Sequence, residues 1–96
     1  MLTFVVSAWF KAGADLDWDA AHPGAYVAHL ETFVPRVKLE GALYDRDDVR
    51  CGMFAILECE SFDDVERFLA TSPYQLAGLY DQIEVHRFHV QSGHLT

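Results

Sequence analysis

The residues that could do chemistry are a histidine at a helix edge, a Ser-Pro-Tyr step and a run of alternating aspartates. From Pro23 to about Glu40 the apolar residues Tyr26, Val27, Leu30, Phe33, Val34 and Val37 recur at three- and four-residue steps. At about 100° per residue His29 falls beside Tyr26 and Phe33, on the edge of that stripe. An imidazole half buried there can serve as a base near neutral pH, or it can be a boundary residue holding one hydrogen bond. Ser72-Pro73-Tyr74 reads as an N-cap followed by proline in the first helical turn. The free N–H groups of a helix start can also hold an anion or a developing oxyanion. Asp15-x-Asp17-x-Asp19 begins like a calcium loop, but Ala20 and Tyr26 stand where the loop needs glycine and glutamate. A solvated acidic loop, with Leu16 and Trp18 packing inward, is the expectation.

The other titratable residues are less suggestive. His86 and His89 are three apart on an expected strand, so alternation sends them to opposite faces and one metal cannot bridge them. His94 sits in a polar tail, and His22, just before Pro23, is assigned to a loop. Cys51 and Cys59 share one extended run, where eight steps of about 3.3 Å hold them about 26 Å apart. A disulfide needs Cα atoms within about 7 Å, so both are expected to be reduced and to pack as small apolar residues of a cytoplasmic protein.

The elements that must position these residues follow from periodicity and punctuation. Leu2 to Trp9 is a β-strand with apolar side chains on both faces. The helix from Pro23 is expected to run to about Glu40, kinked on its solvent side at Pro35 and ended by Gly41. Ala42 to Arg46 is expected to be a short strand, Asp47-Asp48 a turn, and Gly52 to Glu60 a third extended segment, again apolar on both faces. Ser61 with Asp64 has the form of a capping box that opens a helix whose buried stripe is Phe62, Val65, Phe68 and Leu69. A short helix from Pro73 to about Leu79 precedes a last strand, Asp81 to Val90, with Ile83 and Val85 on one face and Phe88 on the other. The order β-α-β-β-α-β predicts a single ferredoxin-like α+β sandwich over residues 1–96, with an antiparallel sheet carrying both helices on one face.

Composition narrows the partners. Fifteen acidic against seven basic residues give a net charge of −8, with no basic cluster to neutralise phosphates, so nucleic acid and anionic membrane surfaces are not expected partners. The longest apolar stretch, Leu2 to Phe10, is far short of the roughly 20 residues that span a bilayer. A chain of 96 residues with 51% apolar content holds more apolar material than one small core can bury. Strands apolar on both faces locate the surplus on the open side of the sheet, which predicts a homodimer packed sheet to sheet.

The stretches Ser72-Pro73-Tyr74, Ala77-Gly78-Leu79-Tyr80, Ile83-Glu84-Val85 and Phe88 resemble the YCII-related (YciI-like) family, which reads Asp-Pro-Tyr/Phe, then small-Gly-aliphatic-aromatic, then an alternating strand ending in an aromatic. The resemblance covers residues 52–90 well. The N-terminal half agrees more loosely, through its first apolar strand, the His29-Leu30 pair and Gly41. It implies a homodimer of the dimeric α/β-barrel type and an active-site pair of a helix histidine with the aspartate of the Asp-Pro motif. Those positions are His29 and Ser72. Serine accepts a hydrogen bond but brings no charge to orient an imidazole. The Arg-Pro often found before the family's histidine is Val27-Ala28 here. Glu31 and Asp19 are the carboxylates that could substitute.

Two functions therefore stand side by side. The first is a small enzyme that needs no cofactor and acts on a hydroxylated aromatic or similar compact molecule by proton abstraction or elimination. In it His29 is the base, Ser72 positions it or the substrate, and Tyr74, Trp9 and Phe33 are pocket walls. The second is a non-catalytic homodimer that binds a small ligand or acts as an accessory module, motivated by serine at position 72. Haem or quinone oxygenation is allowed by the fold alone, as an analogy.

Overall fold

The computed structural model describes residues 1–14, 22, 24–32 and 36–94. Four strands, β1 (Leu2–Phe10), β2 (Arg36–Tyr44), β3 (Arg50–Cys59) and β4 (Tyr80–Arg87), form one antiparallel sheet in the order β2-β3-β1-β4. Among the described residues three helices accompany them: α1 (Ala25–Thr32), α2 (Phe62–Ala70) and the single turn α3 (Pro73–Leu76). With the first and third strands in the centre, this is the ferredoxin-like arrangement.

Side-chain alternation along the two central strands divides the sheet into two unlike faces. Phe4, Val6 and Ala8 of β1 and Met53, Ala55, Leu57 and Cys59 of β3 are buried on one face, together with Val65, Phe68 and Leu69 of α2. That is the core. On the other face Val5, Trp9 and Phe54 are half-buried, and Leu39 of β2 is 54% exposed. Ile56, on that same face, is only 7% exposed. It shares a shallow cleft of about 220 Å³ with Phe88, Val90 and His94, so the chain after β4 lies against this side of the sheet. The Phe88 N–H donates to the Thr3 carbonyl at 2.8 Å, which carries the ladder one residue past β4.

The first helix is much shorter than its periodicity suggested. The expected helix to about Glu40 stops at Thr32, and the chain is a strand from Arg36 to Tyr44. Pro35 supplies the reason: it offers no N–H to a helix and disfavours helical geometry in the residue before it. Val37, the last residue of the expected helical stripe, pairs instead with Leu57 of β3, and Leu39 and Leu43 pair with Ile56 and Gly52. Bulges at Lys38 and at Cys51 adjust that register. Gly41 lies within β2 and ends nothing, and the strand expected at Ala42 to Arg46 is the second half of β2.

The second helix starts after Ser61 as expected but does not make all of its expected contacts. Phe62 is 49% exposed, outside the buried stripe, and meets the core only through an edge-on contact with Phe4 at 4.7 Å. Ser61 makes no side-chain cap hydrogen bond. Asp64 instead accepts from the Glu60 N–H at 3.1 Å and pairs with Arg67, so the N-terminal carboxylate closes the helix one residue earlier than a capping box would. Cys51 and Cys59 are both free thiols. Burial raises the pKa of Cys59, whose Sγ lies 3.6 Å from the Ser61 carbonyl. The acidic loop at Asp15, Asp17 and Asp19, with Leu16 and Trp18, lies outside the described residues.

Candidate functional site

His29 is placed on α1 by the short apolar stripe and is buried, at 9% exposure. Its ring lies 4.8 Å from that of Phe68 on α2, tilted by 37°. Burial lowers its pKa below 6.5, opposed in part by a hydrogen bond with the Phe68 backbone. The imidazole is therefore neutral at neutral pH, the state a general base requires.

Ser72 closes α2 and opens α3. Its N–H donates to Leu69 and its carbonyl accepts from Leu76 at 2.9 Å, while its side chain is wholly buried and caps no helix N–H. The Ser72 hydroxyl faces the phenol of Tyr80. The two fall outside strict hydrogen-bond geometry, yet the hydroxyl is near enough to favour the phenolate, which burial of Tyr80 disfavours more strongly. Because α1 packs against α3, the helix that carries His29 and the turn that Ser72 introduces are neighbours.

Tyr74 is buried within an aromatic group. Phe10 and Tyr80 each meet it edge-on with centroids 6.0 Å away, and Phe10 stacks on Tyr80 at 5.6 Å. Arg50, at the head of β3, sets its guanidinium 5.4 Å from the Phe10 ring centre and 5.5 Å from that of Tyr74, and its Nη2 donates to the Tyr74 hydroxyl at 3.5 Å. Glu40, on β2, is close enough to Tyr80 to oppose its ionisation. A half-buried cation between aromatic faces is stabilised by their π clouds.

The remaining expected residues are dispersed. Trp9 points to the opposite side of the sheet from the face that meets the helices, so it does not share a wall with Tyr74. Phe33 and Asp19 lie outside the described residues. Glu31 is exposed, as are His22, His86 and His89, the last of these beyond the end of β4. Among the described residues no three His, Cys, Asp or Glu side chains gather to hold a metal, and no helix is long and apolar enough to cross a membrane.

Arg50 and Tyr80 were not singled out from sequence. A cation between Val49 and Cys51, at the start of a run of strand formers in an acidic chain, was the available signal for Arg50. Tyr80 appeared only as part of the family-like stretch Ala77 to Tyr80.

The fold and its likeness to solved structures support the dimeric α/β-barrel superfamily. Among solved structures, the chain is similar to 5-chloro-2-hydroxyhydroquinone dehydrochlorinase (TftG) from Burkholderia phenoliruptrix AC1100, in complex with 2,5-dihydroxybenzoquinone. The TM-score is 0.77 at 26% identity, over 92% of this chain and 94% of that one. It also shares its fold with At3g17210 from Arabidopsis thaliana, with a TM-score of 0.53 at 17% identity over 99% and 100% of the two chains. No family model and no curated protein matches the sequence.

Proposed function

We propose that this protein is a YciI-like enzyme that acts on a small hydroxylated aromatic, with His29 as general base. The observation that carries the reading is an imidazole buried against Phe68, on a helix packed against the turn that holds Ser72 and Tyr74. The likeness to a dehydrochlorinase that acts on a chlorinated hydroxyquinol supplies the substrate class. In such an elimination one ring hydroxyl first becomes a ketone, its proton moving to the ring carbon that bears chlorine; a second hydroxyl then gives its proton to the imidazole, the electron pair moves through the ring, and the C–Cl bond breaks. Chloride and a proton leave together, the ring becomes a quinone, and no external oxidant is consumed. Ser72, enclosed beside Tyr80, holds position and does not carry charge, so the base acts without the orienting carboxylate of the family.

The same reading includes a homodimer. The sheet face with half-buried Val5, Trp9 and Phe54 and exposed Leu39 would pack on its counterpart, and static light scattering near twice 10.9 kDa is the expected result. The enzymatic test is chloride release from 5-chloro-2-hydroxyhydroquinone. His29→Gln is expected to slow it by about 10²–10⁴, the usual contribution of a general base. An unchanged rate in that variant refutes the role. The serine at position 72 favours a second reading, a ligand-binding homodimer without turnover. Thermal stabilisation by 2,5-dihydroxybenzoquinone with no chloride release from the chlorinated substrate would select it.

A further inference from the structure

Past β4 the chain turns across the open face of the sheet. Phe88 continues β4, held by its N–H on the Thr3 carbonyl at 2.8 Å. Ile56 lies two strands away, since β1 stands between β3 and β4. Phe88, Val90, Ser92, Gly93 and His94 nevertheless border one cleft with Ile56, of about 220 Å³, so residues 90–94 cross β1 to reach β3. Gly93, at a φ of 93°, supplies a turn that residues with a side chain rarely adopt.

This cover is local and lightly held. Ile56 pairs with Val5 of β1 and Leu39 of β2, at the middle of the face. It is 7% exposed, whereas Leu39 is 54% exposed and Val5 and Phe54 are half-buried. Of residues 88–94 only Val90 is half-buried; the others are exposed, and no strand or helix includes them. The open cleft leaves the crossing segment with few of the contacts that close packing gives. A segment so held can lift from the sheet while the core stays folded.

Packed sheets stand about 10 Å apart, a distance that their inward side chains fill. A backbone lying across Ile56 occupies that space, and the second sheet of a homodimer cannot close over it. We infer that residues 90–94 are a strap that competes with a second copy of this chain for the centre of the sheet face. The inference rests on the homodimer reading and adds to it: each protomer must release its strap before the two sheets meet, so self-association is weakened once for each copy.

A variant ending at residue 89 keeps β4 and the Phe88 anchor and lacks the strap. In sedimentation velocity from the micromolar to the millimolar range it should dimerise at least about tenfold more tightly than the full chain, because neither copy has a strap to release. Val90→Ser, which loosens the strap without shortening the chain, should tighten association by about threefold or more. Gln91→Ala, at an exposed position outside the cleft, should associate as the parent does. In the dilute full chain, NOEs should join the Ile56 and Val90 methyl groups, and they should vanish as the dimer forms. Equal dissociation constants for all four chains, weaker dimers without the strap, or Ile56–Val90 NOEs that persist in the dimer would overturn the strap and leave the homodimer standing. No association in any chain, the strapless one included, would overturn the homodimer and the strap with it.

Discussion

Gly52 is the position at which a single methyl group should do most damage. It pairs with Trp9 across the two central strands, and a Cβ there would run into the Ala8 carbonyl oxygen, with the Ala8 carbonyl carbon 3.1 Å and the Trp9 Cα 3.2 Å away. All three obstacles are backbone atoms of β1, which cannot rotate aside as a flexible side chain would. Relief requires moving one central strand relative to the other. Overpacking typically costs about 1–3 kcal/mol, and a backbone obstacle puts Gly52→Ala at the upper end, about 3 kcal/mol. A domain of this size loses about 4–8 °C in Tm per kcal/mol, so melting should fall by about 12–24 °C. Gly41 on β2 is the control, because a Cβ there meets nothing within 4 Å. Gly41→Ala restricts only the unfolded chain and should be neutral or stabilising by up to about 1 kcal/mol. Thermal and urea denaturation of both variants gives the comparison. A Gly52→Ala protein melting within about 2 °C of the parent would show that β1 and β3 are not this close at Trp9.

The buried histidine makes stability depend on pH. Its folded pKa lies below 6.5, so the unfolded chain takes up the proton first as pH falls. The His29 contribution is therefore intact above about pH 6.5 and is lost as pH drops from there through the lowered folded pKa. The difference in urea stability between the parent and His29→Gln should shrink over that window, and a pH-independent difference would contradict it. Phe68→Ala should cost about 3–5 kcal/mol, as loss of a wholly buried ring does. It should also let the His29 pKa rise toward 6.5 by admitting water, which NMR titration would show. Tyr74→Phe should cost about 0.5–1.5 kcal/mol, the usual worth of a hydrogen bond, because the hydroxyl it removes accepts from Arg50 at 3.5 Å while the ring contacts remain. Asp48 has a φ of 62°, so Asp48→Gly should leave Tm unchanged or raise it, and a fall of several degrees would argue against that turn geometry.

The architecture was legible because strands and helices announced themselves by different periods. Leu2 to Trp9 and Met53 to Leu57 alternate or run apolar, Val65, Phe68 and Leu69 recur at helical steps, and the order of elements left few topologies. Pro35 was read as a kink within a helix, whereas the chain is a strand from Arg36, since Val37 fits the helical stripe as well as a strand face and only pairing with β3 decides between them. The candidate site was partly legible. His29 stood out through its place on a stripe and Ser72 through its place before Pro73. The Arg50–Phe10–Tyr74–Tyr80 group was not, because it joins β1, β3, α3 and β4 where the register shifts at Trp9/Phe10 against β4 and at Leu43/Tyr44 against β3, and local spacing carries no trace of such a meeting. Trp9 lies on the sheet face opposite Ala8, as alternation along β1 requires.

The most direct test of the central claim is a two-dimensional NMR titration of the five histidines with 2,5-dihydroxybenzoquinone, the ligand held by the dehydrochlorinase of similar structure. A small-aromatic site built around His29 predicts that the His29 ring resonances shift in proportion to occupancy and that its pKa changes on binding. His86, His89 and His94 should stay unmoved. Saturable binding that leaves His29 unperturbed, or no binding at all, would contradict the account.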